Sequence, residues 1–298
     1  MDKTSKTNFI ENLLNNIKSK FILKKIVDNI KQKRLLKLIN YNKNLQEKLG
    51  IGIKDYKKYY GQIIIEIIPI NKINNYYRNY FINIPYKYKS FYHTYFNEDE
   101  EEIKKDYFNK EDNIQKIKII IDEEIKSLEK LFENIDCIKK IKFIKFNRTD
   151  INNMSHIFDR CSSLEEINFN KFITNNVTDM SHMFFGCSSL KQLNLNNFKT
   201  NNVTDMSHMF FGCSSLKELN LNNFNTNNVN DMSYMFDECR SLEKLYINNF
   251  NINKVTNMNH MFDGCRSLKE SNIDNLDNSN LIDMKNLFKE RKFLYSNY

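Results

Sequence analysis

The sequence repeats itself with a period of 26 residues. The segment TNNVTDMSHMFFGCSSLK occupies residues 174–191 and occurs again, letter for letter, at residues 200–217. Self-similarity at a fixed period of this length is typical of solenoids, in which each repeat forms one coil and packs on its neighbours. The repeat therefore predicts a solenoid, and catalytic sites are rarely duplicated in this way.

Four columns of apolar residues keep this period beyond the two identical segments. They are the Met column (Met154, Met180, Met206, Met232, Met258, Met284), the Phe column (Phe158, Phe184, Phe210, Phe236, Phe262, Phe288), the Cys column (Cys161, Cys187, Cys213, Cys239, Cys265) and the Leu column (Leu164, Leu190, Leu216, Leu242, Leu268, Leu294). The register continues backward to Leu128, so we expect about seven coils over residues 125–298. Stacked coils are expected to share one continuous core, because a single coil cannot bury its own apolar side.

Two spacings alternate within one coil. The LxxLxL pattern of residues 190–195 predicts a short strand. Apolar residues spaced by three, four and seven over residues 180–187 predict one or two turns of helix, with Thr178 or Asp179 as its cap. The expected fold is thus an α/β solenoid, a leucine-rich-repeat-like right-handed coil with a parallel sheet on one face and short helices on the other, preceded by a mainly helical N-terminal region.

The repeat unit resembles a known family. FGCSSLKELNL, with NFNTNNV and VTDMSHMF, is similar to the BspA-like leucine-rich repeat proteins, especially their mycoplasma-type branch, over residues 147–290. The resemblance implies a solenoid with a binding role, since such relatives are described as surface proteins that adhere to host or matrix components. Residues 1–20 lack the pattern of a secretory signal, so we expect a cytoplasmic protein, with the cell surface as the alternative that the resemblance implies.

Strand alternation turns one set of side chains away from the core. We predict that these side chains bind a partner: Glu166, Asn168, Gln192, Asn194, Glu218, Asn220, Lys244 and Tyr246. A concave polar sheet suits partner recognition. The alternative interpretation is that Asn serves here only as a soluble filler.

A second candidate surface follows the core phenylalanines. The column after them contains Asp159, Phe185, Phe211, Asp237 and Asp263. Its charged members predict an exposed position, so Phe185 and Phe211 are expected to stand side by side as a contact patch. The alternative is a recent duplication that copied one tolerated Phe.

Two further columns invite a chemical interpretation. Four of the five histidines, His156, His182, His208 and His260, recur at the repeat period. The cysteines are expected to point inward and the histidines to lie elsewhere, which favours a duplicated surface column over a metal ladder. Five equivalent cysteines do not suit catalysis, because nothing activates one over the others. We therefore expect no enzyme activity, no metal and no cofactor.

The N-terminal region, residues 1–124, is harder to assign. Residues 1–60 hold fifteen Lys and Arg against five Asp and Glu, which suits nucleic acid, an anionic membrane or simply a solvated helix face. Residues 19–51 are similar to an F-box, which docks on a cullin-ligase adaptor; the residues that carry the likeness are Ile22, Leu23, Ile26, Val27, Leu35 and Leu36. The alternative is an ordinary helical domain. Residues 56–107 are expected to form a small core of strands and helices, and residues 113–135 a helix.

Together these patterns predict a non-enzymatic protein that binds a protein partner through the sheet face of its solenoid, residues 125–298. Two alternatives differ in class. One is an F-box-like substrate receptor of a ubiquitin ligase, and the other is a BspA-like surface adhesin or antigen.

Overall fold

The computed structural model describes residues 43–50, 61–70, 78–169 and 172–268. The chain divides into two compact units, Met1–Gly61 and Gln62–Tyr298. In the first unit, helix α1 (Lys43–Leu49) is followed by Gly50. Gly50 has a φ of +66°, the left-handed conformation that commonly ends a helix and that glycine adopts without steric cost.

The described residues of the second unit form mainly strands and turns. Its strands are β1 (Ile63–Pro69), β2 (Asn79–Tyr80), β3 (Tyr92–Phe96), β4 (Tyr107–Phe108), β5 (Ile117–Ile121), β6 (Ile138–Lys145), β7 (Glu166–Asn168), β8 (Glu218–Asn220) and β9 (Lys244–Tyr246). Two short 3₁₀ helices, Tyr86–Phe91 and Lys110–Asp112, lie between the early strands. The prediction of a mainly helical N-terminal region is therefore wrong for the described residues between 62 and 124. Strands and a short 3₁₀ helix occur together in the described part of residues 56–107, as expected, and residues 113–135 contain β5 rather than a helix.

A five-stranded sheet, ordered β3-β5-β1-β6-β7, begins this unit. The first four strands pair antiparallel, whereas β6 and β7 pair in parallel. Alternate isoleucines of β1, namely Ile63, Ile65 and Ile67, are fully buried. This period of two, in β-branched residues, favours a strand over a helix. The sheet contains strands from both sides of residue 124, and the predicted domain boundary there stays a prediction.

The coils stack at the predicted period of 26 residues. Parallel backbone bridges join one residue of each coil to its equivalent in the next: Ser127, Asn153, Asp179, Asp205, Asp231 and Asn257. Parallel pairing on the sheet side joins β6 to β7, Glu166 to Gln192, and β8 to β9. The repeat solenoid is thus confirmed over six described coils. The predicted seventh coil lies outside the described residues, and the right-handed sense stays a prediction.

The predicted short helices are wrong. Residues 181–186 form turns, in which His182 and Gly186 adopt left-handed φ values of 57° and 65°. Their amides bond to the next coil, since His182 N lies 2.9 Å from Ser207 O and Gly186 N lies 2.7 Å from Phe211 O. An α-helix would direct these donors to the carbonyl four residues earlier. Bonding between coils satisfies them instead, and Asp179 Oδ1 accepts the amide of Ser181 without a helix to cap.

The core is a set of ladders. Phe132, Phe158, Phe184, Phe210, Phe236 and Phe262 stack face to face with successive ring centroids 5.5–5.7 Å apart. Each cysteine of the repeat column is buried and its thiol donates to a backbone carbonyl of the coil before, as Cys187 Sγ does to Phe158 O at 3.1 Å. The predicted inward-facing columns are therefore confirmed.

Asparagine side chains also hold neighbouring coils together. Asn176, Asn202 and Asn228 occupy one column, and the Nδ2 of each donates to a backbone carbonyl of the preceding coil at 2.7–2.8 Å. Asn223 Nδ2 donates to the carbonyl of Leu195 at 3.0 Å. At these positions, asparagine is a structural ladder and not a soluble filler.

Candidate partner-binding surfaces

The sheet face carries the predicted partner-binding residues outward. In β7, β8 and β9 the central residue is buried and its two neighbours are exposed. All eight predicted side chains are exposed: Glu166, Asn168, Gln192, Asn194, Glu218, Asn220, Lys244 and Tyr246. Tyr246 is the one aromatic among them, with 37% of its surface exposed. The outward orientation of these side chains, predicted from strand alternation, is therefore confirmed.

Two shallow grooves run across this face. The larger has a volume of about 640 Å³, and Gln192, Asn194, Glu218 and Asn220 are among its lining residues. The smaller, of about 400 Å³, is lined in part by Glu166 and Asn168 together with Gln192 and Asn194. The two grooves share Gln192 and Asn194, so neighbouring coils combine their polar side chains along this face.

Charges on the sheet face are paired between coils. Lys140 Nζ lies 2.7 Å from Glu166 Oε2, and Lys244 Nζ lies 3.7 Å from Glu218 Oε2. Exposed pairs of this kind contribute little to stability, typically below about 1 kcal/mol. Their main effect is on recognition, since the paired face presents hydrogen-bonding groups without a strong field of one sign.

The predicted aromatic pair is stacked but only half-buried. The rings of Phe185 and Phe211 lie 4.6 Å apart with an angle of 6° between their planes. The expectation of a fully exposed column was wrong, because Asp159, Asp237 and Asp263 are at least nine-tenths buried. Asp159 and Asp263 each contact the histidine three residues earlier, His156 and His260 respectively.

A stack of rings lies beside that column. His156, His182, His208, Tyr234 and His260 follow one another with centroids 4.4–4.7 Å apart. All five have φ between 55° and 59°. Histidine is enriched in this left-handed region, which gives the column a structural reason to repeat.

The two ends of the ring stack differ electrostatically from its middle. His156 Nδ1 lies 2.7 Å from Asp159 Oδ2, and His260 Nδ1 lies 2.6 Å from Asp263 Oδ2. Among the described residues His182 Nδ1 has no hydrogen-bond partner, and burial, followed by the nearby His208 and His156, lowers the pKa of His182 to about 4. Burial likewise lowers the pKa of His208. The two middle histidines are therefore uncharged at pH 7. Their rings lie beside the apolar rings of Phe185 and Phe211, where a charged imidazole would be unfavourable.

Three groups of metal-ligand type meet at the first end of the stack. One ligand atom each from Glu133, His156 and Asp159 lies within 4.8 Å of the other two. These residues were not predicted as a site. The sequence does contain a pattern that points to them. Glu133 and Asp159 are one repeat period apart, and His156 precedes Asp159 by three residues.

The cysteines offer no reactive centre. All six are free and buried. Burial raises the pKa of the Cys137 and Cys213 thiols to about 12. Such thiols are largely protonated at neutral pH and act as packed hydrogen-bond donors.

The family of the chain follows from its repeats. Residues 104–193, 126–243 and 191–297 each match the family described as Mycoplasma protein of unknown function, DUF285. The three matches together cover about two thirds of the chain. The chain belongs to this family. The DUF285 family is related to surface leucine-rich-repeat-like repeats, so the resemblance is confirmed at that level, and the narrower BspA-like assignment stays a prediction. No curated protein and no solved structure matches the chain.

Of the F-box-like segment, residues 19–51, the structure describes residues 43–50. The predicted adaptor-binding residues Ile22, Leu23, Ile26, Val27, Leu35 and Leu36 lie outside the described residues. Their role, and the cullin-ligase adaptor as a partner, stay predictions.

Within the described ranges of this DUF285 chain, the helices are too short or too polar to cross a membrane.

Proposed function

We propose that this protein is a non-enzymatic binding protein whose sheet face engages a protein partner. The observation that carries the proposal is the groove of about 640 Å³ lined by Gln192, Asn194, Glu218 and Asn220. These four residues come from two consecutive coils and are exposed, so one partner surface would contact both coils at once.

The chemistry of the face suggests the character of that partner. Amides and charges that are already paired between coils favour hydrogen bonding over charge attraction. Protein interfaces are enriched in Tyr, and Tyr246 supplies an exposed aromatic at one end of the face. The expected partner is therefore a polar protein surface that brings its own hydrogen-bond donors and acceptors.

Site-specific photo-crosslinking in the native cell tests this function. A photoreactive phenylalanine analogue replaces Gln192 or Tyr246 on the sheet face, and Asn201 as the matched control. Asn201 is also exposed but lies on a turn and not in a strand. We expect the same protein to be crosslinked from Gln192 and Tyr246 and not from Asn201.

A second step separates binding from simple proximity. The charge-introducing variant Gln192→Lys should weaken the captured complex, whereas Asn201→Lys should leave it unchanged. If all three positions crosslink the same set of proteins, or if both lysine variants behave alike, the sheet face is not the binding surface.

Adhesion at the cell surface is a second candidate, supported by the relation of the family to surface repeats. It competes with the proposal of a binding protein that acts inside the cell. Protease treatment of intact cells distinguishes the two. Digestion of the protein before lysis would support the adhesin, and protection until lysis would support a cytoplasmic binding protein.

A further inference from the structure

We propose that Glu133, His156 and Asp159 form a binding site for one divalent transition-metal ion, with zinc as the ion of choice. The site lies at the first end of the ring stack, between two neighbouring coils. It is separate from the sheet face, and it stands whether or not that face binds a partner.

The repeat register brings the three residues together. Glu133 and Asp159 are equivalent positions of successive coils, and the backbone amide of Asn134 donates to the carbonyl of Asp159 at 2.7 Å. His156 lies in the same turn as Asp159. One ligand atom from each residue therefore falls within 4.8 Å of the other two.

One buried carboxylate oxygen at this point has no hydrogen-bond partner among the described residues. Asp159 is 97% buried, and its Oδ2 accepts from His156 Nδ1 at 2.7 Å. Its other oxygen, Oδ1, is buried and has no hydrogen-bond partner among the described residues. The guanidinium of Arg160 lies 3.9 Å from Oδ1, too far for a hydrogen bond, and also lies over the ring of Phe185. A buried carboxylate oxygen without a partner is costly, and a bound cation would remove that cost.

The donor set suits zinc. Zinc takes imidazole nitrogen and carboxylate oxygen at about 2.0–2.2 Å, and sites with three protein ligands complete the shell with water. The three ligand atoms lie within 4.8 Å of one another, so small side-chain movements bring them to those distances from one ion. Glu133 is only half-buried, so its long side chain has room to make most of that movement.

The other coils provide internal controls. Asp237, His260 and Asp263 have the same sequence spacing, but the first carboxylate is one methylene shorter. Around His182 and His208, Phe185 and Phe211 replace the aspartate. In the described part of the chain, only the group of Glu133 has its ligand atoms within 4.8 Å of one another.

Metal binding by untagged, reduced protein tests the site. Zn²⁺ is titrated by calorimetry, and Co²⁺ is added as a spectroscopic probe whose visible absorption reports its ligands. We expect one ion per chain, a higher melting temperature with Zn²⁺ than without it, and no thiolate-to-cobalt charge-transfer band. Glu133→Gln and His156→Gln should each weaken binding at least about tenfold, the lower limit for lost outer-shell partners. His208→Gln, in the same ring stack, should not change it.

Three results would each overturn the site. They are no saturable Zn²⁺ binding by the folded protein, equal weakening by His208→Gln and His156→Gln, and a thiolate band in the Co²⁺ complex. Circular dichroism of each variant shows whether it is folded. If His156→Gln does not fold, Glu133→Gln decides alone, because Glu133 is half-buried and belongs to no ring stack.

Discussion

Thr200 and Asn225 exchange two hydrogen bonds. The hydroxyl of Thr200 donates to the carbonyl oxygen of Asn225 at 2.9 Å and accepts from the backbone amide of Asn225 at 2.8 Å. Thr174 and Thr226 make the same pair of bonds with the coil that follows each. In each of these coils one buried threonine hydroxyl thus bonds to both the amide and the carbonyl of a residue in the next coil, in place of a backbone partner.

Removing that hydroxyl should be costly even when the shape is kept. Thr200→Val leaves the partly buried amide and carbonyl of Asn225 without this partner, so we expect a loss of about 1–3 kcal/mol in the free energy of unfolding. Thr200→Ser should retain both bonds and lose less. Thr178→Val is the matched control, because Thr178 is exposed and makes one long bond of 3.3 Å. Urea unfolding followed by circular dichroism measures all three, and equal losses for Thr200→Val and Thr178→Val would contradict this role.

The two phenylalanine columns should differ in their contribution to stability. Phe210 is fully buried between Phe184 and Phe236, so Phe210→Ala should cost about 3–5 kcal/mol. Its neighbour Phe211 is half-buried and stacks on Phe185, so Phe211→Ala should cost only about 1–2 kcal/mol. Chemical unfolding of the two variants under identical conditions is the measurement. A larger loss for Phe211→Ala would mean that the outer pair, and not the ladder, holds the coils.

The thiols should be silent in the folded protein. Burial raises the pKa of the Cys213 thiol to about 12 and that of Cys187 well above its usual value. We therefore expect less than one thiol per chain to react with a disulfide reagent at pH 8 in native buffer, and all six in denaturant. Rapid reaction of several thiols in the native state would show that the coils open readily.

Asp237 should make stability depend on pH. Burial, followed by the charges of Asp263 and Glu238, raises its pKa from 3.8 to about 7. The folded state therefore holds this proton more tightly than the unfolded state, and stability falls as the pH rises from about 4 to 7. Asp237→Asn should gain roughly 1–2 kcal/mol over the parent protein at pH 8 and nothing at pH 4.

The exposed acid Asp136 provides the control for that measurement. Asp136→Asn should show no comparable gain at pH 8. Thermal unfolding of both variants at the two pH values separates the outcomes, and an equal gain at pH 4 and pH 8 for Asp237→Asn would contradict the raised pKa.

The period and the direction of side chains could be predicted from the sequence. Met180, Phe184, Cys187 and Leu190 are all fully buried, as their columns indicated. These predictions depend only on repetition, because a residue that recurs in every coil faces the same environment in each. The outward direction of Gln192 follows from strand alternation for the same reason.

The conformation of the turns was harder to predict. Apolar residues three, four and seven apart fit a helix, and they fit equally well a tight series of turns with left-handed residues at His182 and Gly186. What decides between them is where the backbone amides bond, and that depends on the neighbouring coil. The burial of Asp159 was missed for a related reason. Its carboxylate is paired with His156, which belongs to a different column of the repeat, and comparing residues within one column does not reveal that pairing.

The bonds between coils also bear on how the length of this protein changes. Donors such as those of His182 and Gly186 reach only the coil that follows, at an offset of one period. A complete unit inserted or deleted within the array therefore leaves the junctions on either side chemically unchanged. The identity of residues 174–191 and 200–217 is what such a step leaves behind. A lineage can lengthen or shorten the groove by unequal recombination, one whole coil at a time, without evolving a new fold.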